Sequence, residues 1–440
     1  MNNQEFTSKD TIAIGLMMFA LFLGAGNLIF PPALGQAAGT SVWSAIAGFL
    51  VTGVGLPILA IIAIAISGGD LQKVSERVGP TFAAIFPLTV YLAIGPLFGI
   101  PRTGSVAYEI GVVPYLTDGA SALSLLIFTF CFFSVSYWLS LNPSKLVGRI
   151  GKLLTPVIVI ILTILTITGI VKPMDGVGEP TGAYEQFAFF AGFQDGYFTM
   201  DAIAALVFGI VIITRMKERG MTSKKELTRR AIQVGLIAGG GLAFVYLSLA
   251  FLGSTSMQSI GYQDNGGVIL TRISQELLGN FGLVLLSIVI TIACLTTSVG
   301  LISSFGEYIQ RIFPKIPYYL TTGIIALFSL SLANMGLSEL IQFSLPLLIM
   351  IYPIAIVLIL LTLFKGLFNE NKYIFKGAVI GAAIVSIPDG LSQTESWGKL
   401  FQSLMDILPF AAMGMAWLIP AVVGSCIGAL LSREKWAMSK

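Results

Sequence analysis

Long apolar segments recur along almost the whole 440-residue chain and restrict the environment in which it can fold. Charged residues make up only 11% of the sequence, against about 25% in a soluble domain, and the mean hydropathy is +0.89. A helix needs about 20 apolar residues to cross a bilayer. Segments of suitable length lie at residues 11–38, 41–67, 81–105, 120–140, 148–171, 190–214, 231–252, 280–305, 318–334, 338–365, 374–388 and 408–431. The sequence therefore predicts an all-α polytopic membrane protein with 12 transmembrane helices in one domain, residues 1–440.

Basic residues are distributed unevenly between the two sets of loops. Of the 25 Lys and Arg residues, 21 lie near the two termini or around the loops that follow even-numbered spans. Because loops rich in Lys and Arg stay in the cytoplasm, both termini are expected there.

The first ten spans form two groups of similar length. Spans one to five occupy residues 10–171, spans six to ten occupy residues 189–365, and helices eleven and twelve occupy residues 374–431. Two groups with an odd number of spans each must cross the membrane in opposite orientations. If the two groups are structural repeats, they form a 5+5 inverted repeat in which span six is equivalent to span one.

The first span is interrupted by Gly24, Gly26 and Asn27. Inside a membrane an unwound backbone is tolerated only where it is buried in protein or lines a cavity. In transporters, the half-helix ends and free carbonyls at such breaks bind substrates and ions. A partner break is expected in span six at residues 204–209, which combine small residues with a glycine.

Polar groups at membrane depth give the other candidate site residues. Thr296 and Thr297 in span eight offer oxygens to a hard cation such as sodium, or they bond to their own helix backbone. Asp201 and Arg102 are ionisable residues within spans six and three, where charges are costly and usually functional. We expect them to pair or to gate the outer entrance together. Alternatively, Arg102 reaches the outer interface and Asp201 caps a half-helix.

Several function classes are excluded or disfavoured by what the sequence does not contain. It has no histidine and no G-x-x-x-x-G-K-[ST] motif, so a Ser-His hydrolase is excluded and an ATP-driven pump of that type is not expected. We expect neither enzymatic activity nor a cofactor. The G-x-x-x-G formed by Gly424 and Gly428 is typical either of a dimer face or of close packing inside one protomer.

Four stretches resemble the bacterial branched-chain amino acid:cation symporters (LIVCS family) of the amino acid–polyamine–organocation superfamily. They are residues 21–32, residues 94–96 with 100–103, residues 199–209 and residues 351–353. The resemblance implies an inverted repeat of five spans with discontinuous helices 1 and 6. It also implies import of leucine, isoleucine and valine across the bacterial cytoplasmic membrane.

More remotely, residues 24–27 and 295–298 resemble the broken first helix and the eighth helix of the bacterial leucine transporter of the neurotransmitter:sodium symporter family. This resemblance implies one sodium site, formed by the carbonyls of Ala20, Leu23 and Ala293 and the hydroxyls of Thr296 and Thr297. It also implies a substrate site composed of amides at Gly24, Ala25 and Gly26, carbonyls near Ala204 and Ala205, and the apolar side chain of Phe208. Asn27 is expected to orient the break. A second sodium site is not expected, because Ile203 stands where that relative has a sodium-binding threonine.

The expected function is secondary active import that couples inward sodium movement to branched-chain amino acid uptake. The nearest alternative is another neutral amino acid substrate or proton coupling, with Asp201 or Glu109 as the protonated group. An ion channel or a nutrient receptor is the alternative from another class. The expected partners are the amino acid, the sodium ion and the lipid bilayer, without nucleic acid.

Overall fold

The computed structural model of the protein describes residues 7–438 apart from residues 118, 175, 222, 369–370 and 396. Among the described residues there are helices and connecting segments and no strand. Most of each long apolar segment is helical, as expected for a chain whose backbone must satisfy its own hydrogen bonds in lipid.

The first five predicted spans correspond to nine helices. These are α1 (Ser8–Phe22), α2 (Ala25–Ala38), α3 (Val42–Leu50), α4 (Leu56–Ser67), α5 (Leu71–Ser75), α6 (Pro80–Leu92), α7 (Gly99–Gly111), α8 (Ala122–Ser140) and α9 (Pro143–Val171). Span one consists of α1 and α2, span two of α3 and α4, and span three of α6 and α7. One π-helical turn joins the two halves of span two, and another joins the two halves of span three. In the turn of span three, Gly95 leaves helical geometry with ψ −119°.

Spans six to ten correspond to a further group of helices. These are α10 (Tyr184–Asp195), α11 (Asp201–Glu218), α12 (Lys224–Ser254), α13 (Met257–Ile260), α14 (Gly266–Ile312), α15 (Tyr318–Ala333) and α16 (Leu337–Leu363). Helix α14 is longer than the predicted span at residues 280–305. Helix α14 also contains a helical segment before Gly279, and Gly279 itself breaks the helical geometry with φ 62°.

The C-terminal part contains α17 (Lys372–Ser392), α18 (Gly398–Met405) and α19 (Leu418–Met438). Helix α19 begins at Leu418 and not at residue 408, because Phe410 and Gly414 adopt left-handed backbone conformations that a continuous helix does not contain.

The polytopic all-α architecture is confirmed, whereas the count of twelve spans is not reproduced in full. Seven helices among the described residues are long and apolar enough to cross a membrane, or eight if the bent pair of α10 and α11 is one span. Three shorter apolar helices are present at Pro156–Val171, Tyr318–Ala333 and Leu418–Ser432. The count differs partly because consecutive helical turns join Ala25–Ser67 into one stretch, which combines the second half of span one with span two, and because α1 and α15 have only 15 and 16 residues.

The two halves pack in a reciprocal manner. Helices α1 and α2 of span one lie against α12, which is span seven, while α10 and α11 of span six lie against α3 and α4, which are span two. Span one therefore meets span seven as span six meets span two. This is the packing expected of two structural repeats related by a pseudo-twofold axis.

Glycines allow the close approach of helix backbones at these contacts. A Cβ atom added to Gly35 of α2 would lie 2.0 Å from the carbonyl oxygen of Ala250 in α12, and one added to Gly253 would lie 2.2 Å from that of Pro32. Small residues permit such contacts between membrane helices.

The G-x-x-x-G motif of α19 also serves packing within the chain. Added Cβ atoms at Gly424 and Gly428 would lie 2.2 Å and 2.1 Å from the carbonyl oxygens of Gly377 and Tyr373 in α17. The motif thus faces a neighbouring helix of the same protomer.

Replacing Gly253 by alanine is expected to lower the melting temperature by several degrees. The added methyl group overlaps the Pro32 carbonyl, and overpacking costs about 1–3 kcal/mol. Gly240→Ala in the same helix is the matched control, since its Cβ would meet nothing within 4 Å. Thermal unfolding of both purified variants in detergent measures the effect. Equal melting temperatures would contradict the packing described for α2 and α12.

Candidate functional site

The break in span one lies at Leu23 and Gly24, between α1 and α2. Gly24 is extended, with φ −109° and ψ −169°. Its amide donates to the carbonyl of Phe22 at 2.6 Å and to Asn27 Oδ1 at 3.1 Å. In a continuous helix that amide would donate to the carbonyl of Ala20 instead. The break therefore releases the Ala20 carbonyl and exposes the first amides of α2, which have no partner within the helix.

The break in span six lies at Met200, so the prediction of a break at residues 204–209 is wrong. Met200 is left-handed, with φ 62° and ψ 11°, and the helical segments on its two sides are bent by 41°. Helix α11 then runs without interruption through Ala204 and Ala205, whose carbonyls accept hydrogen bonds within the helix. Gly209 serves packing: a Cβ atom there would lie 3.0 Å from Ile64 of α4.

The two breaks face each other across a small cavity. A Cβ atom on Gly26 would lie 3.3 Å from the Phe198 carbonyl oxygen, just before the break in span six. The cavity has a volume of about 40 Å³. The predicted site residues that line it are Gly24, Ala25, Gly26, Asn27, Arg102, Asp201, Ala204, Phe208 and Thr297. The predicted residues outside the lining are Ala20, Leu23, Ala205, Ala293 and Thr296.

A buried network connects three spans beside the cavity. Asp201 is 2% exposed, and its Oδ2 accepts hydrogen bonds from Asn27 Nδ2 at 2.7 Å and from the hydroxyl of Tyr246. Asn27 Nδ2 also contacts that hydroxyl. Tyr246 lies in α12 and was not predicted as a site residue. The available signal was a tyrosine in the middle of apolar span seven.

Arg102 is held by neutral groups from three other spans. It is 1% exposed, so it does not reach the outer interface. Its Nη1 donates to the Phe198 carbonyl at 2.5 Å, its Nη2 donates to Ser344 Oγ at 3.1 Å, and its guanidinium lies 5.1 Å from the centre of the Phe30 ring. The expected pair with Asp201 is absent from this structure, since both side chains bond to other groups. Phe30, Phe198 and Ser344 were not predicted.

The two threonines of span eight have different surroundings. Thr296 Oγ1 donates to the Ala293 carbonyl at 2.8 Å, which brings two predicted sodium ligands together. Thr297 Oγ1 is buried and has no hydrogen-bond partner among the residues that the structure describes. It lies at the break of span one, where a Cβ atom on Gly24 would be 3.5 Å away from it. A buried oxygen without a partner is unusual in proteins and is a candidate ligand for an ion or a water molecule.

The chain is similar to known membrane transport proteins along almost its full length. A family model described as "Branched-chain amino acid transport protein" matches residues 7–435. The branched-chain amino acid permease BraB of Bacillus subtilis (strain 168) is 49% identical over 425 residues, which cover 96% of each chain. The branched-chain amino acid permease BrnQ of the same organism is 45% identical over 435 residues, covering 98% of each chain.

Among solved structures, the fold is shared with Mhp1, a nucleobase-cation-symport-1 family transporter in a closed conformation with bromovinylhydantoin bound. The TM-score is 0.61 at 14% sequence identity, and the match covers 96% of this chain and 92% of that chain. At this identity the likeness shows the fold alone. The sequence matches, which extend over all the helices that form the cavity, show that the chain belongs to the family of branched-chain amino acid transport proteins.

Proposed function

We propose that this protein imports leucine, isoleucine and valine together with sodium by alternating access. The observation that carries the proposal is the convergence of two broken helices on one cavity, with the unpartnered hydroxyl of Thr297 at the first break. The names of BraB and BrnQ support branched-chain amino acids as the substrates.

The substrate carboxylate would bind the amides of Gly24, Ala25 and Gly26. The N-terminal end of α2 carries a partial positive charge and free amide donors, so it favours an anion. Phe208 would contact the aliphatic side chain, with Ala204 beside it. Because one methylene changes the binding free energy by only about 1–3 kcal/mol, all three branched-chain amino acids should compete for this pocket.

Sodium would bind at the other side of the break. The carbonyls of Ala20 and Leu23 belong to the end of α1, and the Ala20 carbonyl has lost its helical donor. Thr297 offers an oxygen without a partner. The bond between Thr296 and Ala293 uses the threonine proton, so lone pairs on Thr296 Oγ1 stay available to a cation, whereas the Ala293 carbonyl also accepts a hydrogen bond within α14.

Alternating access requires contacts that open on one side at a time. We propose Arg102 and Asp201 as gate residues, because Arg102 ties span three to span six and span ten through Phe198 and Ser344. The positive-inside distribution supports cytoplasmic termini. On that side Arg219 at the end of α11 pairs with Asp10 of α1, so span six is also bridged to span one.

Proton coupling is the second candidate, and one observation favours it. Asp201 is a buried carboxylate in the cavity with no cationic partner among the described residues. A buried unpaired charge is costly, so a protonated carboxyl is a reasonable alternative state. Glu109 lies outside the cavity lining, which leaves Asp201 as the candidate proton carrier.

Imposed ion gradients in proteoliposomes distinguish these candidates. We expect radiolabelled leucine to accumulate above equilibrium when sodium is high outside, and an inside-negative potential to increase accumulation. Each sodium ion gains about 2.3 kcal/mol per 100 mV. Equimolar potassium in place of sodium is the control. Accumulation driven by acid outside, without sodium, would show proton coupling. Binding without accumulation under either gradient would contradict symport.

A further inference from the structure

Two opposite charges line the same cavity without pairing with each other. Arg102 and Asp201 are both almost completely buried, and every hydrogen-bond partner described above for either of them is neutral. Burying an isolated charge is costly unless an opposite charge or strong hydrogen bonds compensate for it. A negative group beside Arg102 and a positive group beside Asp201 would therefore lower the cost of burying these two charges.

The two charges flank a single turn of α2. A Cβ atom on Gly26 would lie 3.4 Å from Arg102 Nη1, which places the guanidinium beside the N-terminal amides of that helix. The next residue, Asn27, donates to Asp201 at 2.7 Å. A ligand at this turn would therefore have the arginine near one of its ends and the aspartate near the other.

Each side chain also retains binding capacity. The Nε of Arg102 is buried and has no hydrogen-bond partner in the described part of the chain, while both Nη atoms are bonded. The hydrogen bonds from Asn27 and Tyr246 both end on Oδ2 of Asp201, so the carboxylate, which has about four acceptor positions, can accept from a further donor. The carbonyls of Ala204 and Ala205, the alternative acceptors for an ammonium group, are used within α11.

We propose that Arg102 and Asp201 bind the two charged ends of the amino acid as a zwitterion. Arg102 binds the carboxylate together with the α2 amides, and Asp201 binds the ammonium group. This inference rests on the proposed amino acid substrate and deepens it by assigning a residue to each charge. An α-amino acid carries both charges on one carbon, so a single ligand compensates both buried side chains.

Three ligands of similar shape test the assignment in the full-length purified protein at one saturating sodium concentration. L-Leucine carries both charges, leucinamide lacks the carboxylate, and 2-hydroxy-4-methylpentanoate lacks the ammonium. Competition against radiolabelled leucine measures their affinities. We expect each analogue to bind about 10- to 100-fold more weakly than leucine, the loss typical of a charge-assisted hydrogen bond.

The variants are expected to remove these preferences selectively. In Arg102→Gln the ratio of leucine to leucinamide affinity falls several-fold, because only the α2 amides still favour the carboxylate, while the ratio of leucine to hydroxy acid is kept. In Asp201→Asn the reverse holds. Arg272→Gln, which changes an exposed arginine, should keep both ratios. A residue that only supports the fold would weaken all three ligands together.

Arg102→Lys provides a second variant in case Arg102→Gln does not fold, and it should keep a preference for leucine over leucinamide. If leucinamide binds to the unaltered protein as tightly as leucine, this result alone shows that the assignment of Arg102 is wrong, and no variant is needed. If leucine binds but both ratios survive both substitutions, the inference fails while the proposed transport function stands. If the unaltered protein binds no leucine, the proposed substrate fails as well.

Discussion

Replacing Gly26 by valine is expected to reduce leucine uptake roughly 100-fold while the protein still inserts into the membrane. A Cβ atom at this position would lie 3.3 Å from both the Phe198 carbonyl oxygen and Thr199 Cα, and 3.4 Å from Arg102 Nη1. Two of these neighbours are backbone atoms, which cannot rotate away. The larger side chain would push the two helix breaks apart, and a displacement of about 1 Å at a reacting or binding site can cost about 100-fold.

Gly240→Val is the matched control for this change. Gly240 lies in α12, is exposed and would place its Cβ atom in open space. Both variants should reach the membrane in similar amounts, as measured by immunoblotting of membrane fractions, and only Gly26→Val should lose uptake. The corresponding change at Gly24 is also expected to abolish uptake, since its Cβ would lie 3.2 Å from Thr297 Cγ2. Normal transport by the Gly24 and Gly26 variants would refute a site at the break.

Thr297→Val should raise the sodium concentration for half-maximal leucine uptake about 10- to 100-fold. The substitution keeps the shape of the side chain and removes the one hydroxyl at the break that has no partner in the described part of the chain. Changes around a metal site typically cost about 10- to 100-fold in affinity or activity. The maximal uptake rate at saturating sodium should change much less than the sodium requirement.

The thermal stability of this variant separates ion binding from a structural role. Because the Thr297 hydroxyl is buried without a partner, its removal should leave the melting temperature in sodium-free buffer unchanged or higher. Ser303→Ala is the control in the same helix, since the Ser303 hydroxyl bonds to the Val299 carbonyl at 2.7 Å. An unchanged sodium response in Thr297→Val would remove this residue from the proposed ion site.

Much of the architecture follows from local features of the sequence. Apolar length predicts most of the helices, and the paired glycines around Ala25 predict the break in span one. At that break Asn27 accepts the hydrogen bond from the Gly24 amide. These features are readable because hydropathy and backbone freedom depend on a short stretch of chain. The resemblance in residues 21–32 and in three later stretches predicted the family that the sequence matches then showed.

The position of the second break was decided by tertiary structure. Small residues and Gly209 suggested an interruption at residues 204–209, whereas Gly209 packs against Ile64 and the chain turns at Met200. A methionine in a left-handed conformation has no sequence signature, because the surrounding helices hold it there.

The partners of the buried polar groups were also decided by tertiary structure. Arg102 bonds to groups from spans six and ten, and Asp201 bonds to Asn27 and to Tyr246 from spans one and seven. The sequence by itself determined that charges lie at membrane depth and that the first helix is broken. Only the packing of distant spans determined which groups meet, because hydrogen bonds depend on distances of about 3 Å that sequence spacing does not set.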